Sequence, residues 1–144
     1  MFLRGYASAA AYIAVLARRG SGAAQGRRIT LQGRVDDVTN PTRTIAYYDA
    51  LIQRYGIDKV DSFMQLYTVP GCQHGSGVLI PSVDLLGALD NWVTHGVSPE
   101  TLTATDIAMP THSRAHPLSR YPMFPRYLGK GDVNRASSFA CAEP

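Results

Sequence analysis

No apolar run in this chain approaches the roughly 20 residues that cross a bilayer as a helix, which excludes a helical membrane span. Cysteine is nearly absent. Cys72 and Cys141 are the only two in 144 residues; they lie far apart, define no disulfide framework and leave the compartment open. A dominant charge is missing too, since 14 basic and 11 acidic side chains leave a net charge of +3. The basic doublets Arg18-Arg19 and Arg27-Arg28 have no aromatic side chains interleaved with them. That argues for a solvated surface and against a nucleic-acid partner. There is no internal repeat and no low-complexity block. What is present, 45% apolar and 17% charged residues, is the composition of one globular domain with a real core.

The start, "MFLRGYASAAAYIAVLARRGSG", imitates a secretory signal, with Arg4 ahead of an apolar stretch from Tyr6 to Ala17. Arg18 and Arg19 stand where small residues should mark cleavage, so the segment is read as an amphipathic helix. Tyr12, Val15, Leu16 and Arg19 fall at helical spacing on it. "RRGSGAAQG" then has the composition of a flexible linker. Residues 1–27 are thus expected to be an N-terminal helix and linker, 28–108 an α/β segment, and 109–144 an extended tail packing on that segment.

Within 28–108 the expected order is strand, helix, strand, helix, short strand. "RITLQG" (Arg28 to Gly33) reads as a strand. Asn40-Pro41 opens a helix, with Asn as cap and Pro in the first turn. Its apolar stripe is Ile45, Tyr48, Leu51, Ile52 and Tyr55, and Gly56 ends it. "SFMQLYTV" (Ser62 to Val69) is apolar on both faces, as an interior parallel strand should be. Ser82 is expected to cap a second helix that buries Leu85, Leu86, Leu89, Trp92 and Val93 and closes at Gly96. Thr101 to Thr105 is a short edge strand, and from Met109 onward the chain is read as irregular. In such an order the loops "GRVDDVTNP" and "PGCQHGSG" leave the carboxyl ends of parallel strands and share one rim.

Those two loops carry the chemistry. Glycines at 71, 75 and 77 let the backbone turn sharply around His74 and leave its imidazole accessible. An acid on one loop and a histidine on the next is what nucleophilic catalysis needs: the carboxylate fixes the imidazole tautomer, and the imidazole takes the proton from a hydroxyl. Asp36 followed by His74 also matches the last two places of the order Ser, Asp or Glu, His found in α/β-hydrolases. On spacing alone, a capping Asp and a bland loop His fit equally well. No G-x-S-x-G occurs anywhere in the chain. Cys72 and Ser76 lie near His74 in sequence, but neither has an elbow around it. His112 and His116 are four apart, yet Pro110 and Pro117 argue against a helix that would align them on a metal. His95 suits a helix C-terminus, Trp92 suits the core, and Tyr47 is expected to be exposed near the rim while Tyr48 is buried. No cofactor and no metal is implied.

Four segments in order resemble the tannase and feruloyl esterase family. "QGRVDDVTNPTRTIAYYDAL" is similar to the family's catalytic-acid segment, His-Gly-Trp-x-Asp-Pro followed by a proline and a helix with Tyr-Tyr. Gly33, Asp36, Pro41, Tyr47 and Tyr48 stand at matching places. "LYTVPGCQHGSG" resembles the segment in which "VPG" precedes a catalytic His-Cys pair. "LLGALDNWVTHGVSPETLTAT" and "RYPMFPRYLGKGDVNRASSFAC" resemble the helix, strand and tail that follow. The resemblance runs from about residue 28 to the end. It implies the C-terminal part of an α/β-hydrolase sheet, with His74 as triad base, Asp36 as triad acid and Asp37 as the fallback acid. It also implies esters of aromatic hydroxy acids as substrates of the complete enzyme, and an exported parent.

The departures are informative. Gly75 stands where the family has the cysteine that bonds to one beside the nucleophile. Cys141 matches the tail's cysteine, whose usual partner position is here Ser119, while Cys72 is an extra cysteine open to pairing with Cys141. The family's Gly-Cys-Ser-x-Gly-Gly elbow has no counterpart. The expectation is therefore an isolated chain that is nearly inert, since losing a triad member costs roughly 10⁴ to 10⁶ in rate. It would be a fragment, one half of a split enzyme whose N-terminal half is another chain, or an inactive remnant serving as a binding module.

Overall fold

The computed structural model describes residues 12–17, 26–108 and 114–144. Its centre is a parallel pair of strands, β2 (Arg27–Gly33) and β3 (Met64–Val69), in register from Arg28↔Met64 to Gly33↔Val69. Every residue of β3 is buried, so the pair must be covered on both faces, and alternation along the strands sorts the side chains between two clusters. Ile29, Leu31, Tyr67 and Val69 join Leu85, Leu89 and Trp92 on one side. Met64 and Leu66 join Tyr48 and Val60 on the other. The fold is α/β, with helices on both faces of the parallel pair.

Helix α1 (Pro41–Tyr55) begins where the sequence places it. The Asn40 side chain accepts from the Thr42 N–H, Pro41 occupies the first turn, and Gly56 closes the helix at a φ of 81°. Tyr48 is fully buried, whereas Tyr55 is half exposed and lies outside the core. A short helix α2 (Ile57–Asp61) follows and buries Val60. After β3 come a two-residue strand β4 (Pro81–Ser82) and helix α3 (Leu85–His95), which Gly96 ends in the left-handed conformation.

Four expectations are corrected here. The cap of α3 is Asp84, whose carboxylate accepts from Gly87 N–H at 2.9 Å; Ser82 is instead paired with Thr105 in a sheet. Leu86 is 72% exposed, because the buried stripe runs through Leu85, Leu89 and Trp92 and position 86 lies a quarter-turn away. Strand β5 (Thr101–Asp106) is not an edge: it lies between β4 and β6 (Ala115–Ser119) in a second sheet. Finally, Tyr12–Ala17 is a strand, β1, and not a helix. It pairs antiparallel with β2 from Tyr12↔Gln32 to Ala17↔Arg27. β-Branched Ile13 and Val15 suit a strand, and pairing satisfies a backbone edge of β2 that a helix would leave bare. The expected linker after it lies outside the described residues.

The C-terminal region is more regular than expected. Beyond β6, strands β7 (Phe124–Tyr127) and β8 (Phe139–Ala142) form a hairpin-like pair, with a 3₁₀ turn at Ala136–Ser138 before β8. Strands of four or five residues interrupted by Pro117 and Pro125 give no readable alternation, which hid them. Leu118 of β6 is fully buried with the β2–β3–α3 cluster, and a Tyr67↔Arg120 bridge links the two sheets. Among the described residues no helix is long and apolar enough to cross a membrane.

Candidate active site

Because β2 and β3 are parallel and in register at Gly33↔Val69, their two following loops leave the same end of the sheet. Backbone bonds then staple one loop to the other. Arg34 N–H donates to the Val69 carbonyl at 2.9 Å and Val35 N–H to the Cys72 carbonyl at 3.3 Å. The approach is close enough to demand glycine: a Cβ at Gly33 would sit 2.4 Å from the Cys72 oxygen.

In the first loop, Asp36 folds back on its own turn. One carboxylate oxygen accepts from Val38 N–H and Thr39 N–H, each at 2.8 Å. The other accepts from the Thr39 hydroxyl. Gln32 steadies this turn from below. Its amide donates to the Gly33 and Thr39 carbonyls at 3.1 Å each, and its carbonyl accepts from the Thr44 hydroxyl of α1 at 2.7 Å. Burial pushes the Asp36 carboxyl up, but the Thr39 hydroxyl and the amides of Thr39 and Val38, with a smaller contribution from His74, outweigh it. The carboxyl is held below its ordinary range, so Asp36 is a carboxylate at neutral pH.

The second loop presents His74 at its tip. Gln73 N–H donates to Ser76 O at 2.9 Å, Val78 N–H donates to Gly71 O at 3.0 Å, and Cys72 bridges Gly77. Gly77, at a φ of 110°, has no room for a side chain: a Cβ would lie 2.3 Å from the Gly71 oxygen. The two loops bring His74 Nδ1 to 3.4 Å from Asp36 Oδ2, with the Asp36 side chain fully buried and that of His74 39% exposed. A buried, fully hydrogen-bonded carboxylate beside one ring nitrogen selects the tautomer with its proton on Nδ1 and leaves Nε2 as the basic nitrogen.

The remaining candidates separate cleanly. Asp37 is exposed, and it is Asp36 that meets His74. Cys72 is buried, with its thiol donating to the Gln73 carbonyl at 3.2 Å. Burial, then the charge of Asp36, raises its pKa, the reverse of what an ionising nucleophile needs. Ser76 donates to the Gln73 side chain at 2.9 Å. Both cysteines are free, and a Cys72–Cys141 bridge is not formed. Cys141 instead touches the buried Ser119 hydroxyl and lies 3.5 Å from that of Thr101. His112 lies outside the described residues, and His116 sits in β6 with its ring 4.8 Å from that of Phe139. Among the described residues no group of three His, Cys, Asp or Glu side chains is placed to hold a metal. His95 is the last residue of α3 and Trp92 is core. Tyr47 is exposed and Tyr48 buried. Thr39 and Gln32 were not singled out in the sequence. The spacing Asp36-x-x-Thr39, typical of a side chain capping its own turn, was the available signal.

Comparison with known proteins gives the family and the fold. The model of the family described as tannase and feruloyl esterase matches residues 19–142. An uncharacterized esterase of Agrobacterium fabrum is 42% identical over 119 residues, covering 82% of this chain and 22% of that protein. A probable feruloyl esterase of Arthroderma benhamiae is 39% identical, covering 80% and 22%. A mono(2-hydroxyethyl) terephthalate hydrolase of Piscinibacter sakaiensis is 33% identical, covering 83% and 20%. The chain thus spans about a fifth of the length of these relatives. In fold it is similar to feruloyl esterase B from Aspergillus oryzae, at a TM-score of 0.68 and 20% identity over 77% of this chain and 25% of that one. It is also similar to tannin acyl hydrolase from Aspergillus niger, at 0.62 and 21% over 78% and 22%. These relatives are carboxylic ester hydrolases, and this chain belongs to the tannase and feruloyl esterase family.

Proposed function

We propose that this chain supplies the acid and the base of an acyl-transfer triad, His74 as general base and Asp36 as the carboxylate that orients it. The observation that carries this reading is the 3.4 Å approach of His74 Nδ1 to a fully buried Asp36 carboxylate. In the reaction, Nε2 of His74 removes the proton from a serine hydroxyl as its oxygen attacks the ester carbonyl. The same proton then goes to the departing alcohol, and water repeats the cycle to free the acid. Asp36 stays ionised throughout and stabilises the imidazolium.

The serine, its elbow and the oxyanion donors belong to sequence that has no counterpart here. On this reading they come from sequence beyond the fifth of the relatives' length that this chain spans. The complete catalyst is thus this segment joined to a nucleophile-bearing part, either in one polypeptide or as a separate N-terminal chain. The segment forms the C-terminal portion of an α/β-hydrolase sheet. The substrates are esters of aromatic hydroxy acids, as the names of the feruloyl and tannin esterase relatives suggest. Export to the periplasm or outside the cell fits that substrate class.

One observation favours a second reading. Strand β1 covers the edge of β2, as a module that folds and binds without a partner half would need. Replacing the matching segment of the Agrobacterium esterase with residues 26–144 distinguishes the two. Hydrolysis of methyl ferulate or a gallate ester by the chimera, with none by the isolated chain, is the expected result. An inactive but folded chimera favours the binding module.

A further inference from the structure

The loop that presents His74 is held at both ends, and its return limb is held by two residues that no catalytic motif includes. Asp106, at the end of β5, is completely buried. One of its carboxylate oxygens accepts from Ile80 N–H and Ala108 N–H, each at 3.0 Å. The other accepts from Arg114 Nε at 2.8 Å and from Arg114 Nη2. The same Nη2 also donates to the Val78 carbonyl, while Ile107 N–H donates to the Ile80 carbonyl at 3.0 Å. Backbone groups of Val78 and Ile80, four and six residues after His74, are therefore tied to a single ion pair whose carboxylate is fully buried and whose guanidinium is partly exposed.

We propose that Arg114 and Asp106 are positioning residues for His74: their clamp on Val78 and Ile80 fixes the return limb so that the imidazole meets Asp36. The inference rests on the acid–base reading and extends it to a pair in the second sheet. Stability alone explains the pair poorly, because desolvating the Asp106 carboxylate offsets much of its attraction to a partly exposed Arg114. Geometry explains it better. The planar guanidinium reaches a carboxylate and a carbonyl at once, a fork that lysine lacks. Arg114→Lys therefore keeps a cation against Asp106 and loses the tie to Val78.

The test reads the imidazole tautomer by ¹⁵N chemical shifts in histidine-labelled protein at a pH where the ring is neutral. The His74 resonance is assigned with His74→Gln. In the native chain the proton resides on Nδ1, facing Asp36. Asp36→Asn should move the population several-fold toward the Nε2–H form, and Arg114→Lys should do the same in a chain whose circular dichroism is unchanged. A native tautomer in Arg114→Lys overturns the positioning role. An unchanged tautomer in Asp36→Asn overturns the acid–base pair itself, a separate result. If Arg114→Lys fails to fold, amide exchange on the native chain decides instead. The clamp expects the Ile80 amide, which donates to Asp106, to exchange as slowly as those of β3, and exchange 100-fold faster overturns it.

Discussion

Gly33 and Cys72 approach so closely that a methyl group on the first would meet the carbonyl oxygen of the second at 2.4 Å. This contact sits between the acid loop and the base loop, so it sets their separation.

Gly33→Ala should therefore do two things. Forcing the loops apart costs about 1–3 kcal/mol, the usual range for an overpacked site, measurable by urea unfolding. The His74–Asp36 contact should also be lost, and the His74 tautomer should change with it. Lost stability without that change would mean that the contact does not set the pair's geometry.

Thr39 gives Asp36 both its hydroxyl and its N–H. In Thr39→Ala the Asp36 carboxyl should titrate closer to its ordinary value, followed by carboxyl ¹³C shifts. Stability should fall by about 1.5–3 kcal/mol, as for a hydrogen bond to a charged group.

Ser119 faces Cys141 from β6 to β8. Ser119→Cys should close a disulfide with Cys141, leaving Cys72 as the single reactive thiol once the chain is denatured, and raise stability by roughly 2–4 kcal/mol. Three titratable thiols in the oxidised variant would contradict the placement.

Acid should destabilise the chain in two stages. Burial lowers His116 first, and the Arg114 charge adds to it. Its folded pKa lies below the unfolded one, so its contribution is full above about pH 6.5 and declines as pH falls. In Asp36 and Asp106, burial opposes the hydrogen bonds and loses, leaving both carboxyls lowered. They add stability that is full above the unfolded value of 3.8 and is lost as pH drops through their folded values. Asp61, raised chiefly by burial, acts in the opposite sense and should blunt the effect. Urea midpoints measured from pH 7 to pH 3 should fall, and Asp106→Asn should flatten the acid limb.

The sequence makes the centre of this fold legible where local chemistry and tertiary packing agree. Asn40-Pro41 starts α1, Gly96 ends α3, and the unbroken apolar run of β3 announces a strand covered on both faces. It misleads where pairing decides. Tyr12–Ala17 has helical spacing, yet becomes a strand because β2 offers it an edge. The C-terminal strands are too short and too rich in proline to show a period. The approach of Asp36 to His74 follows from two glycine-bearing loops at adjacent strand ends and could be anticipated. Asp106 and Arg114 could not, because their importance lies in a carbonyl 36 residues from Arg114.

The most direct test of the central claim uses the active chimera, with His74→Ala, Asp36→Asn and the double variant compared by kcat/KM on one aromatic ester. Residues that work as one unit lose their effect together. The expected result is a loss of roughly 10⁴ to 10⁶ for His74→Ala, with little further loss in the double variant. A His74→Ala chimera within about tenfold of the parent, where a general base should supply 10²–10⁴, would contradict the assignment of the base.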